Sequence, residues 1–199
     1  MQLHVRKRVR LPHWDVAHGT YFVTFNLVDA VPADFRARLE TERQVRITEL
    51  QRLKGRATPA ELQVIQRLLH ERTEECLDGG AGRCWMRDSR VAQLVADAIT
   101  HFDGERYRLF AWSVMPNHVH VVFEAREPLQ KTMHSWKSFT AKKANRILAR
   151  SGDFWQEEYY DRSVRDAAEF ERTIGYVASN PLAAGLRDWQ WVKTYPDRV

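Results

Sequence analysis

The sequence predicts an α+β fold in which helices cover mainly one face of an antiparallel sheet. Residues 20–27 are rich in aromatic and β-branched side chains, the composition of a half-buried strand. Two more strand patterns, residues 107–114 and 118–124, are separated only by Met115-Pro116-Asn117, which predicts an antiparallel pair. Segments with helical spacing alternate with these strands, and that order is typical of the α+β class.

Between the first strand and this pair, the sequence predicts an inserted helical hairpin over residues 33–80. Residues 33–54 are helical in pattern and heavily charged, and Gly55 interrupts them. Thr58 and Glu61 have the spacing of a capping box, with Pro59 at the first helical position, so a second helix is expected to run to about Leu77.

The remaining elements follow from capping residues. Asp88 is expected to cap a core helix that ends at residues 103–104. A helix over residues 133–149 and a short edge strand near residues 161–165 come next. A last helix begins after Asp166 and is expected to stop at Asn180, because Pro181 disfavours helical geometry in the residue before it. We expect one domain over residues 1–199.

Composition limits the class of protein. The 199 residues contain 31 Lys and Arg and 26 Asp and Glu, a formal net charge of +5, which fits a polyanionic partner. The two cysteines, Cys76 and Cys84, match neither a disulfide framework nor a zinc-knuckle spacing. No apolar run reaches membrane-spanning length and the start lacks a secretory signal pattern, so a cytoplasmic protein without membrane association is expected.

The positive charge is concentrated in two segments that we predict to bind DNA. A basic arm over residues 1–11 precedes the first acidic residue, Asp15. No Asp or Glu occurs from residue 128 to residue 152, and a solvated surface normally mixes its signs. The predicted phosphate-binding residues are Arg6, Lys7, Arg8 and Arg10 in the arm and Lys137, Lys142, Lys143, Arg146 and Arg150 in the second segment.

The motif His118-Val119-His120 is a candidate metal site. Residues two apart in a strand point to the same side, so the two imidazoles share one surface while Val119 faces the other way. Imidazole suits several divalent metals if a further ligand is nearby. By itself the motif is equally consistent with two surface or hydrogen-bonded histidines.

Tyr176 and Asn180 lie four residues apart in the last helix, about 40° apart at 100° per residue. They flank the apolar stripe of Phe170, Ile174 and Val177, so each is also consistent with a residue at the edge of the packed surface. Together with the histidines they form the groups needed to attack a phosphodiester, because a cation polarises the phosphate oxygens and a phenol oxygen becomes the nucleophile.

Four ordered motifs carry a resemblance to a known family. They are residues 111–120 (AWSVMPNHVH), residues 136–140 (WKSFT), residues 154–162 (FWQEEYYDR) and residues 176–181 (YVASNP) followed by Gly185. The chain resembles the REP-associated tyrosine transposases, which are single-tyrosine HUH transposases related to those of small insertion sequences. Residues 33–80 are a charged spacer without a clear counterpart.

The resemblance implies a ferredoxin-like or RRM-like sheet, with His118 and His120 as metal ligands, Asn180 as the third ligand and Tyr176 as the nucleophile. It implies cleavage of single-stranded DNA beside REP-type hairpins, with Mg or Mn and a 5′-phosphotyrosine link. Glutamine is usual where this chain has Asn180, and Tyr159 and Tyr160 are rival nucleophiles. A non-catalytic RRM-like protein that binds single-stranded nucleic acid is the alternative; both monomer and dimer are open.

Overall fold

A computed structural model of the chain describes residues 4–7, 12–15 and 19–198. Its strands are β1 (His4–Lys7), β2 (Pro12–Asp15), β3 (Thr20–Asn26), β4 (Tyr107–Val114), β5 (His118–Ala125), β6 (Tyr160–Ser163) and β7 (Val192–Thr194). Its α-helices are α1 (Ala33–Lys54), α2 (Pro59–Asp78), α3 (Ser89–Thr100), α4 (Leu129–Ile147) and α5 (Ala167–Ala183). The predicted α+β class is confirmed.

The central sheet has five strands in the order β6-β3-β5-β4-β7, and every neighbouring pair is antiparallel. The predicted pairing of β4 with β5 is present, and β3 flanks β5 on its other side. β5 is therefore the middle strand, and its side chains are buried on both faces. The separate pair β1–β2 and the strand β7 were not predicted; β1, β2 and β7 are only three or four residues long, too short for a clear sequence pattern.

Alternation along β5 divides the interior into two layers. Val119, Val121 and Phe123 join the larger core, which α3 and α4 cover. Val122 belongs to a smaller cluster under α5, with Phe22 and Val177. Helices thus lie on both faces, because α5 packs against the face opposite α3 and α4, and this differs from the expectation of one main helical face.

The predicted helical hairpin is present as α1 and α2, which contact each other. Thr58 and Glu61 form the expected capping box at the start of α2. Gly55, which ends α1, has a φ of 76°, a left-handed conformation that glycine adopts without strain. α1 exposes nearly all of its surface, whereas the last two turns of α2 bury Glu74 and Leu77.

The prediction that the last helix stops at Asn180 is wrong. α5 continues through Pro181 to Ala183. A proline removes only its own N–H from the helix, and the carbonyl of Asn180 still accepts a hydrogen bond of 2.9 Å from Ala184 N–H. Asn180 therefore remains helical, one turn after Tyr176. None of the described helices is long and apolar enough to span a membrane.

Candidate active site

The two histidines of β5 lie on the polar side of the sheet centre. In the register with β3, His118 is opposite Asn26 and His120 is opposite Thr24. Both imidazoles are fully buried, and their Nε2 atoms are 2.9 Å apart. The strand alternation that the sequence predicts thus brings the two rings together on one surface.

Asn117, directly before the strand, determines which nitrogen of His118 carries the proton. Its side-chain N–H groups donate to the carbonyls of Leu77 at 3.0 Å and Ala81 at 2.9 Å, so its Oδ1 is an acceptor. This oxygen lies 2.8 Å from His118 Nδ1. Nδ1 must therefore be the donor, which leaves a lone pair on the Nε2 atom that faces His120.

Glu74 from α2 completes the cluster. Its Oε2 lies 3.2 Å from His120 Nε2, and it accepts a 2.5 Å hydrogen bond from the Tyr176 hydroxyl. Glu74, His118 and His120 are all buried, and each offers a ligand atom within 4.8 Å of the other two. The inserted hairpin, which the sequence analysis treated as a charged spacer, thus supplies a carboxylate to the site.

Tyr176 and Asn180 project from α5 toward the same cluster. The ring centroid of Tyr176 is 5.3 Å from that of His120, and Asn180 Nδ2 is 3.4 Å from both the Tyr176 hydroxyl and Asp78 Oδ1. Tyr176 is 37% exposed, whereas Asn180 is buried. The rival Tyr159 is buried, and Tyr160 stacks on His70 with centroids 3.5 Å apart.

Burial sets the charge state of the cluster. It lowers the pKa of His118 to about 3 and that of His120 well below its usual value, so both rings are neutral at pH 7. Burial also raises the pKa of Glu74 to about 8. Burial and the nearby Glu74 carboxylate raise the pKa of Tyr176 far above its usual range. The phenol of Tyr176 is therefore un-ionised at pH 7.

The residues present fit a divalent cation. The lone pair on His118 Nε2 points at His120 Nε2, an unfavourable arrangement for two neutral imidazoles unless a proton or cation lies between them. Asn180 Oδ1 is buried, and among the described residues it has no hydrogen-bond donor. Two imidazoles, a carboxylate and an amide oxygen are donors that first-row divalent metals accept.

The predicted DNA-binding residues lie elsewhere. The exposed Lys142, Lys143 and Arg146 are on α4, across the sheet from His118. Lys137 donates to the carbonyls of residues 156 and 157, at 2.7 and 2.6 Å, and Arg150 binds Asn145 and the carbonyl of Asp153. The backbones of Arg6 and Lys7 are in β1, and Arg8 and Arg10 lie outside the described residues.

Sequence reasoning missed Glu74, His70 and the structural role of Asn117. Glu74 is one of several acids in a charged helix, and only its position one turn before the buried Leu77 set it apart. Asn117 was interpreted as a turn residue, although it directly precedes the histidine motif. The contact between Leu77 of α2 and Asn117, directly before β5, joins residues 40 apart in the sequence. A pattern among neighbouring residues cannot predict such a contact.

Comparison with known proteins relates the site to a family. Residues 86–180 match the family model "Transposase IS200 like". This segment is similar to the IS200-like transposases. The match contains His118, His120, Tyr176 and Asn180 and confirms the resemblance predicted from the sequence. Glu74 precedes the segment.

Two transposases are similar to this chain. A REP-associated tyrosine transposase of Escherichia coli (strain K12) is 24% identical over 106 residues, which are 53% of this chain and 60% of the relative. The chain thus spans less than two thirds of that relative's length. A solved structure of a REP-associated tyrosine transposase bound to a REP hairpin is 14% identical with a TM-score of 0.49, over 90% of this chain and 79% of the other.

Proposed function

We propose that this protein is a metal-dependent transposase that cleaves and rejoins single-stranded DNA beside REP-type hairpins, with Tyr176 as the nucleophile. One observation carries the proposal. The hydroxyl of Tyr176, which is 37% exposed, donates to Glu74, this carboxylate also contacts His120 Nε2, and His118 Nε2 lies 2.9 Å from the same nitrogen. The match to IS200-like transposases supports the reaction class. Tyr159 is the weaker candidate nucleophile because it is buried.

His118, His120 and Glu74 would hold the cation, with Asn180 Oδ1 as a further donor. When bound, the cation supplies Lewis acidity that polarises the scissile phosphate and offsets negative charge on the phenol oxygen. Two imidazoles favour Mn²⁺ over Mg²⁺, because Mg²⁺ prefers oxygen ligands. Asn117 holds His118 in the tautomer that a ligand requires.

The chain's own groups account for the proton in the cleavage step. In its ionised form, which a bound cation would favour over the protonated form, Glu74 accepts the hydroxyl proton of Tyr176 at Oε2, 2.5 Å away, and the phenol oxygen forms a bond to phosphorus. The bond from phosphorus to the 3′ oxygen breaks, and that oxygen takes a proton from solvent water to leave as a 3′-hydroxyl. The other product is a 5′-phosphotyrosine. Attack by a 3′-hydroxyl on this link reverses the step and rejoins the strand.

A denaturing gel tests the proposal. The protein is incubated with Mn²⁺ and a labelled oligonucleotide that contains a REP-type hairpin and a single-stranded flank. We expect a covalent adduct that Tyr176→Phe abolishes and that a chelator prevents. Tyr160→Phe is the matched control and should retain the adduct. Hairpin binding without cleavage, and without any response to metal, would instead identify a non-catalytic nucleic-acid-binding protein.

A further inference from the structure

A cavity of about 250 Å³ opens beside Tyr176. Three arginines from three different elements line it: Arg67 of α2, Arg162 of β6 and Arg172 of α5. A second cavity of about 210 Å³ shares Arg67 and Arg162 and adds Arg165. Four arginines thus surround two adjoining cavities at the edge of the candidate nucleophile.

Two acidic residues line these cavities, Glu169 in both and Asp161 in the second, so they offset only part of the charge of the four arginines. Glu169 accepts hydrogen bonds from Arg162 and from the backbone N–H of Arg165. Arg67 has one acidic contact, at 3.8 Å, with the exposed Glu71, and exposed pairs of this kind contribute little. Within the described residues, no ion pair involves Arg172.

Contacts within the fold hold Arg162 in place. Arg162 is half-buried, donates to Glu169 and Thr173, and lies over the Phe22 ring at 5.6 Å. Burial and then the charges of Arg67 and Arg165 lower the pKa of Arg162. This repulsion would be relieved by an anion, and the planar guanidinium groups match the geometry of phosphate oxygens.

We propose that the cavity lined by Arg67, Arg162 and Arg172 binds a backbone phosphate of the single DNA strand, next to the phosphate that Tyr176 attacks. The inference rests on the proposed function. Because Tyr176 itself lines this cavity, a phosphate next to the one that Tyr176 attacks would be within reach of the arginines. Contacts to backbone phosphates fix register without reading sequence. The cavity would hold the strand so that one particular phosphate faces the tyrosine.

Binding measurements test the inference in the Tyr176→Phe protein, which leaves the strand uncut. Fluorescence anisotropy follows a mixed-sequence single-stranded oligonucleotide at a series of salt concentrations. The double change Arg67→Gln with Arg172→Gln should weaken binding and reduce the slope of log K against log salt by about 0.7 for each phosphate that the protein no longer binds. Arg162 is left unchanged because Glu169 and Thr173 bind it within the fold.

The matched control changes Arg52 and Arg56 to Gln, two exposed arginines that line neither cavity. Its net charge equals that of the test protein, and its slope should remain that of the parent. A double Arg67/Arg172 variant with the parent slope and affinity overturns the inference. Cleavage by the otherwise unaltered enzyme is scored separately, so failure of the proposed function and failure of this inference give different results.

Two further arms identify the ligand. A neutral methylphosphonate is placed at successive positions of the single-stranded flank of the REP-type hairpin oligonucleotide, and at one position near the cleavage site it should remove the difference in affinity between the parent and the double variant. If no position does so, the arginines do not bind a backbone phosphate. At equal ionic strength, inorganic phosphate should displace the strand from the parent better than chloride does, because it competes for the same guanidinium groups, and it should lose this advantage in the double variant. An equal advantage of phosphate in both proteins would overturn the assignment of these arginines.

Discussion

The two faces of the central sheet are built from the same strands but, among the described residues, only one of them carries a buried polar cluster. On one face, Val119, Val121 and Phe123 join a continuous apolar core under α3 and α4. On the other, His118 and His120 lie among Thr24, Asn26, Ser113 and Glu74, all buried and polar. A residue and its immediate neighbour in β5 thus belong to different environments.

The difference shows how the site is held rigid. Buried polar groups cost stability, and the packed apolar face opposite supplies the stability that lets β5 present two histidines in fixed positions. The polar face is also closed by an insertion, because α2 brings Glu74 to the histidines and its C-terminal end is bound by Asn117. The site is therefore formed jointly by the central sheet and the inserted hairpin.

The largest expected effect comes from Glu74→Gln, which keeps the shape of the polar face and removes its carboxylate. If Glu74 accepts the Tyr176 proton, the cleavage rate should fall about 10²–10⁴-fold, the usual contribution of a general base. Stability of the metal-free protein should not fall, because a buried ionisable group is lost. Single-turnover cleavage and urea unfolding measure the two quantities.

Glu75→Gln is the control for this change, since Glu75 is the exposed neighbour on the same helix. It should leave both the cleavage rate and the unfolding free energy close to those of the unaltered protein. Cleavage by Glu74→Gln at the unaltered rate would exclude Glu74 as the proton acceptor and reduce the role of the hairpin to packing.

The polar face should also make stability depend on pH. Burial lowers the pKa of His70 and His118 to about 3 and that of His120 well below its usual value. Below pH 6.5 the unfolded chain binds protons on these histidines that the folded chain does not, so stability falls with falling pH, by about 1.4 kcal/mol per pH unit for each histidine.

Glu74 acts in the opposite direction. Its pKa is raised to about 8, so between pH 4.5 and 8 the folded chain holds a proton that the unfolded chain releases, and stability falls as pH rises. Below pH 6.5 the three histidines together change the stability more per pH unit than Glu74 does, so stability rises with pH. Above pH 6.5 only Glu74 still contributes, so stability falls with pH. These four groups therefore place the stability maximum of the metal-free protein near pH 6.5.

Urea unfolding between pH 4.5 and 8 measures this dependence. His70→Phe keeps an aromatic ring against Tyr160 and should reduce the acid-side slope by about 1.4 kcal/mol per unit. His134→Phe, a change at an exposed histidine on the opposite side of the sheet, should leave that slope unaltered. Equal slopes for the three proteins would mean that His70 is not buried in its neutral form.

The sequence was sufficient to predict the half of the site that depends on local periodicity. Alternation in β5 predicts that His118 and His120 share a side, and helical spacing predicts the same for Tyr176 and Asn180. These are rules about neighbours two or four residues apart, which hold wherever the strand and helix form.

The other half could not be predicted because it depends on tertiary packing. Glu74 reaches His120 across 46 residues of sequence, and a helix as charged as α2 gives no sign of which acid is buried. The position of the basic run of α4 could not be predicted for the same reason, and its binding to DNA stays a prediction. Its lack of acidic residues is real, but packing places it across the sheet from the histidines, while the arginines beside Tyr176 come from α2, β6 and α5.

The smallest expected effect concerns Asn117, where the sheet and the hairpin meet. Asn117→Ala removes both the acceptor for His118 Nδ1–H and the donors to Leu77 and Ala81, so affinity for Mn²⁺ should fall about 10–100-fold. Asn117→Asp keeps an acceptor and loses the donors, which separates the two roles. Calorimetric titration with Mn²⁺ gives the affinities, and ¹⁵N chemical shifts of the metal-free protein report the His118 tautomer.

Weak binding of Mn²⁺ by Asn117→Ala with strong binding by Asn117→Asp would assign the effect to the tautomer. Equally weak binding by both, with the His118 tautomer unchanged in Asn117→Asp, would assign it to the contact with the hairpin, and unaltered affinity in both would show that Asn117 serves neither.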